Sequence, residues 1–124
     1  MDTKINRIVP YVETDNFETV TDFYTGVLGL ELTMEHDDFL GMASPANRSA
    51  QILVAAPGTN PQQARMGFDV GTPAAVDAVH SECRRRGLEI VYPITDEPWG
   101  IHRFFVRDPS GTVINVLAHN EGEG

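Results

Sequence analysis

Hydrophobic residues follow one pattern over the first half of the chain and repeat it over the second. Residues Arg7 to Glu13 are predicted to form a β-strand, with Ile8 and Val12 on one face at the two-residue period. Apolar residues then recur at the three- and four-residue spacing of an amphipathic helix, at Phe17, Val20, Phe23, Tyr24, Val27 and Leu28. Gly29 suits a left-handed C-terminal cap for this helix. Three short strands are predicted next, over residues 30–35, 39–43 and 50–56.

The second half has the same β-α-β-β-β order. A shift of 58 residues, without a gap, aligns Arg7 with Arg65, Val12 with Val70, Thr14 with Thr72, and residues 29–32 with residues 87–90. The second copy is predicted to contain a strand over 65–70, a helix from Pro73 to a cap at Gly87, and strands over 88–94, 102–107 and 112–117. Between the last two strands, Asp108-Pro109-Ser110-Gly111 favours a hairpin turn. An internal repeat therefore organises the chain.

These elements predict an α+β fold built from two tandem βαβββ modules. Module one spans about residues 5–56, a linker rich in turn-forming residues spans 57–63, and module two spans about residues 64–118 of a single domain, 1–124. Alternation predicts apolar strand faces that pack under the helices, formed by Ile8 and Val12, Met66, Phe68 and Val70, and Ile114 and Val116. The opposite sides are partly polar, which is typical of a concave surface around a ligand.

Composition and charge exclude several classes of protein. No apolar run approaches the roughly 18 residues of a membrane span. Nine Lys and Arg against eighteen Asp and Glu give a net charge of −9, which repels nucleic acid and anionic lipid. We therefore expect neither a nucleic acid nor a membrane as partner. The N-terminal residues lack the apolar core of a secretory signal, so a cytoplasmic location is expected, and Cys83 is expected to be a buried structural thiol.

Three short phrases connect the repeat to a known family. They are Phe23-Tyr24, Leu28-Gly29-Leu30, and residues 105–111 with the sequence FVRDPSG. With these phrases in this order, the chain resembles the vicinal oxygen chelate superfamily, which includes glyoxalase I, bleomycin-resistance proteins, fosfomycin-resistance enzymes and extradiol dioxygenases. The resemblance covers about residues 5–117. It implies modules that curl into a cupped mixed sheet with the helices outside, and a homodimer with sites at or near the subunit interface.

Catalytic members of that superfamily hold a divalent metal through His, Glu or Gln side chains on the first and last strand of each module. The matching positions here are Arg7 or Val9, Arg65, Gln51 or Leu53, and Asn115. Valine has no donor atom, arginine stays protonated, and neutral amides are weak substitutes for carboxylates. We therefore expect no metal and no other cofactor.

The candidate ligand site combines aromatic and polar side chains. Trp99 is the single tryptophan and lies between Pro98 and Gly100, where it either stacks on a ligand or covers the barrel end. The candidate set is completed by Tyr11, Phe39, His102, Phe104 and Asn115. Arg7 and Arg65 either bind an anionic group of the ligand or form ion pairs with Glu13 and Asp69.

The leading hypothesis is metal-independent binding of a small, planar or aromatic organic molecule in a concave cleft. The alternative is a lyase, isomerase or dioxygenase of the same superfamily, either with a metal on His102, Gln51 and Asn115 or with His102 or Glu13 as acid or base. A third possibility is a regulatory module that has kept the fold and lost the cleft. The expected partners are a small organic ligand and a second copy of the chain.

Overall fold

The computed structural model describes residues 4–120, which form two compact units. The first unit comprises residues 9–61, and the second unit comprises residues 4–8 and 62–120. Strands and helix of the first half are β1 (Arg7–Glu13), α1 (Phe17–Gly26), β2 (Glu31–Glu35), β3 (Phe39–Ala43) and β4 (Gln51–Ala55). Those of the second half are β5 (Met66–Asp69), α2 (Pro73–Arg85), β6 (Ile90–Glu97), β7 (Ile101–Arg107) and β8 (Val113–His119). Two βαβββ modules and an α+β fold are therefore confirmed.

The first unit packs its helix on one side of four strands in the order β2-β3-β4-β1. β1 runs parallel to β4, and the other neighbours are antiparallel. The buried residues Leu40, Met42 and Val54 pack against residues of α1 and of the neighbouring strands. The helix begins at Asn16, whose side-chain oxygen accepts a hydrogen bond from the Thr19 amide.

The second unit has the strand order β5-β8-β7-β6, with β5 parallel to β8. Val76 and Cys83 of α2 pack against Phe104 of β7 and Val116 of β8. Cys83 is buried in this core, as predicted, and burial raises the pKa of its thiol. No helix within residues 4–120 is long and apolar enough to cross a membrane.

Each helix is followed, within three residues of its end, by the glycine predicted to cap it. Gly29 and Gly87 have φ angles of 77° and 73°, the left-handed conformation that L side chains avoid. The amides that follow these glycines turn back to the helices: Leu30 donates to the Tyr24 carbonyl and Leu88 to the Cys83 carbonyl. Each glycine thus turns the chain from a helix towards the next strand.

The sheet of the second unit has two distinct faces. α2 covers one of them, which carries Val116 and its cross-strand partner Phe104. Residues one position away on each strand point to the other face, which we call the helix-free face of the second unit. Across that face lie three rows of neighbouring residues: His119–Ile101–Glu97, Asp69–Leu117–Arg103–Thr95, and Gly67–Asn115–Phe105–Tyr92.

Candidate ligand-binding site

An arginine surrounded by aromatic rings occupies the helix-free face of the second unit. The Arg103 Cζ atom lies 4.9 Å from the ring centroid of Phe105, 5.3 Å from that of Tyr92 and 5.5 Å from that of Trp99. All three distances are within the roughly 6 Å at which a guanidinium is attracted to an aromatic ring. We call these residues, with Glu97, the arginine–aromatic cluster.

Glu97 supplies the negative charge of the cluster. Its Oε2 atom accepts a hydrogen bond from Arg103 Nε at 2.8 Å and another from the Tyr92 hydroxyl at 2.7 Å. The two charged side chains are only 10% and 9% exposed, so their ion pair is largely shielded from water. The terminal nitrogens Nη1 and Nη2 of Arg103 have no hydrogen-bond partner within residues 4–120.

The turn between β6 and β7 places Trp99 beside this arginine. Glu97 and Ile101 pair across a loop of three residues, and Gly100 completes the loop with a φ of 89°. The Gly100 amide donates to the Glu97 carbonyl, which closes the turn. Trp99 lies at its tip and remains 45% exposed, so part of the indole stays accessible to a ligand.

A second polar group lies on the same face. Arg7 Nε donates to Asp69 Oδ2 at 3.0 Å, and Arg7 Nη2 lies 3.2 Å from His119 Nε2. Since arginine has only donors, His119 Nε2 accepts this hydrogen bond. The ion pair that the sequence offered as one of two roles for Arg7 is therefore present, with Asp69 as partner.

His102 and Phe104 lie on the face that α2 covers, opposite the face that carries Arg103. His102 Nε2 is 2.8 Å from Asp77 of α2, and His102 Nδ1 is 2.7 Å from Asp96 of β6. Phe104 is fully buried in the core. Ligand contact by these two residues stays a prediction without support from this placement.

The arrangement around His102 favours an imidazolium. Carboxylates only accept hydrogen bonds, so both ring nitrogens must donate. Burial lowers the pKa of His102, but the hydrogen bonds and charges of Asp77 and Asp96 outweigh burial and raise the pKa overall. The imidazolium therefore links α2 to the sheet, through Asp77 of α2 and Asp96 of β6.

The other predicted residues are spread over both units. Tyr11 and Phe39 lie on the side of the first unit's sheet opposite α1, because their neighbours Val12 and Leu40 belong to the helix-covered core. Asn115 is 2% exposed and lies beside Phe105 in the third row of the helix-free face. Arg65 is exposed and precedes β5.

Four members of the arginine–aromatic cluster were missed by sequence reasoning: Tyr92, Glu97, Arg103 and Phe105. A signal for two of them was present. Across the Asp108–Gly111 turn, Phe104 pairs with Val116, and paired side chains share a face. Placing Val116 under the helix therefore requires Phe104 there too, and Arg103 and Phe105 on the opposite face.

The residues at the superfamily's metal positions do not fit a divalent metal. Arg7 is ion-paired with Asp69, Arg65 is a cation, and Asn115 offers a neutral amide. Within residues 4–120, no three His, Cys, Asp or Glu side chains are grouped to hold a metal ion. The donor set lacks the imidazole and carboxylate ligands that such ions need.

Solved structures share this fold at low sequence identity. A NAD-dependent benzaldehyde dehydrogenase from Legionella pneumophila matches with a TM-score of 0.77 and 16% identity over 90% of this chain and 98% of that one. Methylmalonyl-CoA epimerase from Mycobacterium tuberculosis matches with a TM-score of 0.74 and 16% identity over 96% and 91%. An extradiol ring-cleaving dioxygenase from B. fuscum has a TM-score of 0.69 and 21% identity over 94% of this chain but 33% of that one.

Sequence comparison defines the family more directly. No curated protein matches the chain at a significant level. The family model of the glyoxalase/bleomycin resistance protein/dioxygenase superfamily, however, matches residues 4–116, which is nearly the whole chain. These residues contain both βαβββ modules except the last three residues of β8, and every member of the arginine–aromatic cluster. The chain belongs to the glyoxalase/bleomycin resistance protein/dioxygenase superfamily.

Proposed function

We propose that the chain binds a small planar organic molecule at the arginine–aromatic cluster, without a metal ion. The observation that carries this proposal is Arg103, held among three aromatic rings with one of them, Trp99, almost half exposed. An aromatic surface beside a few fixed polar groups is the usual composition of a small-molecule site.

The contacts favour a flat ligand. A ring placed on Trp99 buries apolar surface on both partners, and offset stacking adds about 0.5–1.5 kcal/mol beyond that burial. Because Tyr92 and Arg103 are held by the same Glu97 oxygen, the polar part of the cluster is ordered before any ligand arrives. The low identities to solved structures support the fold alone, so the ligand class rests on these residues.

The test uses protein dialysed against EDTA and two planar probes, 2-naphthoate and its amide, with affinities measured by calorimetry. At least one probe is expected to bind with a stoichiometry of one. Substituting Trp99→Leu is expected to weaken binding about three- to tenfold, the stacking energy expressed as an affinity ratio. Phe23→Leu is the matched control, since Phe23 is an exposed aromatic of α1 in the first unit.

Two results would contradict the proposal. One is that neither probe binds to the metal-free protein. The other is that Trp99→Leu and Phe23→Leu leave the affinity equally unchanged, because the probe would then bind away from the cluster.

A further inference from the structure

We infer that the ligand carries a carboxylate and that the two terminal nitrogens of Arg103 receive it. This inference rests on the proposed function and names the ligand class: an aromatic carboxylate, with its ring on Trp99 and its charged group on the guanidinium.

The hydrogen bonds of Arg103 leave one edge of the guanidinium for a ligand. Glu97 is bonded through Nε alone, at 2.8 Å, and within residues 4–120 neither Nη1 nor Nη2 has a hydrogen-bond partner. Nη1 and Nη2 each carry an N–H on the edge between them, and these two donors are parallel and spaced to match the oxygens of a carboxylate. A neutral amide has a single acceptor oxygen, so it cannot place a separate oxygen against each of the two parallel donors.

The surroundings of Arg103 strengthen a hydrogen bond to its two terminal donors. The Arg103 side chain is 10% exposed and is flanked by three rings, while Nη1 and Nη2 keep some contact with solvent. A hydrogen bond formed in such largely dry surroundings is electrostatically stronger than one formed in open water. A charged acceptor on the ligand forms a stronger bond there than a neutral one.

Glu97 carries a negative charge that repels the carboxylate of a ligand. It neutralises Arg103 formally, which weakens the long-range attraction for an anion, and the chain's net charge of −9 acts in the same direction. The preference for a carboxylate over an amide therefore comes from short-range hydrogen bonds. The three rings hold the guanidinium in the position that these bonds require. Affinity should consequently depend weakly on salt, unlike binding to an open basic surface.

The decisive comparison is between 2-naphthoate and 2-naphthamide, measured by calorimetry on metal-free wild-type protein and on Arg103→Lys. On the wild type the carboxylate is expected to bind about tenfold more tightly, because charge-assisted hydrogen bonds are roughly twice as strong as neutral ones. Arg103→Lys retains the positive charge and loses the paired donors, so the ratio is expected to fall below about threefold while amide affinity changes little.

Arg107→Lys is the matched control. Arg107 is an arginine of the same strand and the same face, and it is paired with Glu89 through Nε at 3.1 Å. Its substitution is expected to leave the carboxylate-to-amide ratio unchanged. Circular dichroism of each variant shows whether it is folded, and the wild-type ratio stands as a test if Arg103→Lys does not fold.

The outcomes separate this inference from the proposed function. If the amide binds the wild type as tightly as the carboxylate, the inference is wrong and the proposed function stands. An unchanged tenfold preference in folded Arg103→Lys would also overturn it, since another group would then receive the carboxylate. If neither probe binds, the proposed function itself fails.

Discussion

Glu97 is the residue on which the candidate site depends most. Its Oε2 atom holds both the guanidinium of Arg103 and the hydroxyl of Tyr92, in surroundings where the charged side chains are about one-tenth exposed. A shielded ion pair stabilises a fold only when its remaining hydrogen bonds are well formed. Tyr92 supplies such a bond, so its hydroxyl contributes to stability as well as to the order of the site.

The Tyr92 hydroxyl can be tested by Tyr92→Phe, which removes one hydrogen bond to a charged group and keeps the ring. We expect the free energy of unfolding, measured by urea titration, to fall by about 1–2 kcal/mol. Tyr24→Phe is the matched control, because the Tyr24 hydroxyl has no hydrogen-bond partner within residues 4–120. Equal effects of the two substitutions would show that the Tyr92–Glu97 bond contributes nothing.

His102 gives the fold a pH dependence with a defined sign. Its pKa is raised in the folded protein by the bonds to Asp77 and Asp96. The stabilisation is therefore fully present below the unfolded imidazole pKa of about 6.5 and is lost as the pH rises through the higher folded pKa. The stability advantage of the wild type over His102→Gln is expected to shrink over that range, in urea titrations at a series of pH values.

An independent measurement on the same residue is the NMR titration of its ring protons. Asp77→Asn removes one of the two carboxylates and should move the pKa of His102 downwards. An advantage over His102→Gln that grows with pH, or a pKa that Asp77→Asn leaves in place, would contradict the imidazolium assignment.

Strand β7 shows which side-chain positions could be predicted from the sequence and which could not. Burial of Val116 under the helix was predictable from alternation, and the turn at residues 108–111 was predictable from its composition. Which of two adjacent phenylalanines packs under α2 was not decided by residue type, since Phe104 and Phe105 are equally apolar and both are fully buried. The cross-strand pairing decides it, and Arg103 then follows Phe105 to the other face.

At the scale of elements, the glycine caps permit a test in which one substitution has opposite effects at two positions. Gly87→Ala introduces a side chain at a φ of 73°, and with no atom close to the new Cβ the cost is backbone strain of about 1 kcal/mol. Gly26→Ala lies within α1, where the Cβ makes an ordinary contact 3.7 Å from Asp22 Oδ1. It is expected to stabilise by about 0.5–1 kcal/mol.

Thermal unfolding of the two glycine variants supplies the measurement. The midpoint is expected to fall for Gly87→Ala and to rise for Gly26→Ala. Gly87→Asn should lie between wild type and Gly87→Ala, because asparagine tolerates the left-handed region. A fall of similar size at both glycines would contradict the assignment of Gly87 as a left-handed cap.

Strand β6 is the element whose length the sequence did not predict. The pattern ended it at Ile94, because the residues that follow include Asp96 and Glu97, whose types are depleted in strands. In the fold these residues pair with Arg103, His102 and Ile101 of β7, and each finds a polar partner or an exposed position. Tertiary pairing thus extended the strand, and the extension contains the residue that holds Arg103.

At the scale of the whole molecule, the repeat was the strongest signal in the sequence. Matching glycines, strands and helices over a constant shift predicted both modules and their order of elements. The candidate site was harder to predict from the sequence because it departs from the repeat. Arg103, Trp99 and Glu97 have no counterparts of the same type 58 residues earlier. The pattern that both halves share therefore predicts the fold, whereas the candidate site is formed by residues that occur in one half only.

Assembly into a homodimer stays a prediction. Five apolar side chains of α1, β2 and the segment that joins them are exposed by 40% or more, namely Phe23, Val27, Leu28, Leu32 and Met34. Apolar surface of this kind favours association. Sedimentation equilibrium at tens of micromolar protein is expected to give twice the chain mass of 13.6 kDa, and a strictly monomeric species would contradict the prediction.

The most direct test of the account is an NMR titration of EDTA-treated, ¹⁵N-labelled protein with 2-naphthoate. The account predicts saturable shifts of the Trp99 indole N–H and the Arg103 Nε–H, with amide shifts centred on β6, β7 and the turn that joins them. Saturable shifts elsewhere, with the Trp99 and Arg103 signals unmoved, or no shifts at all without an added metal ion, would contradict a metal-independent site at this cluster.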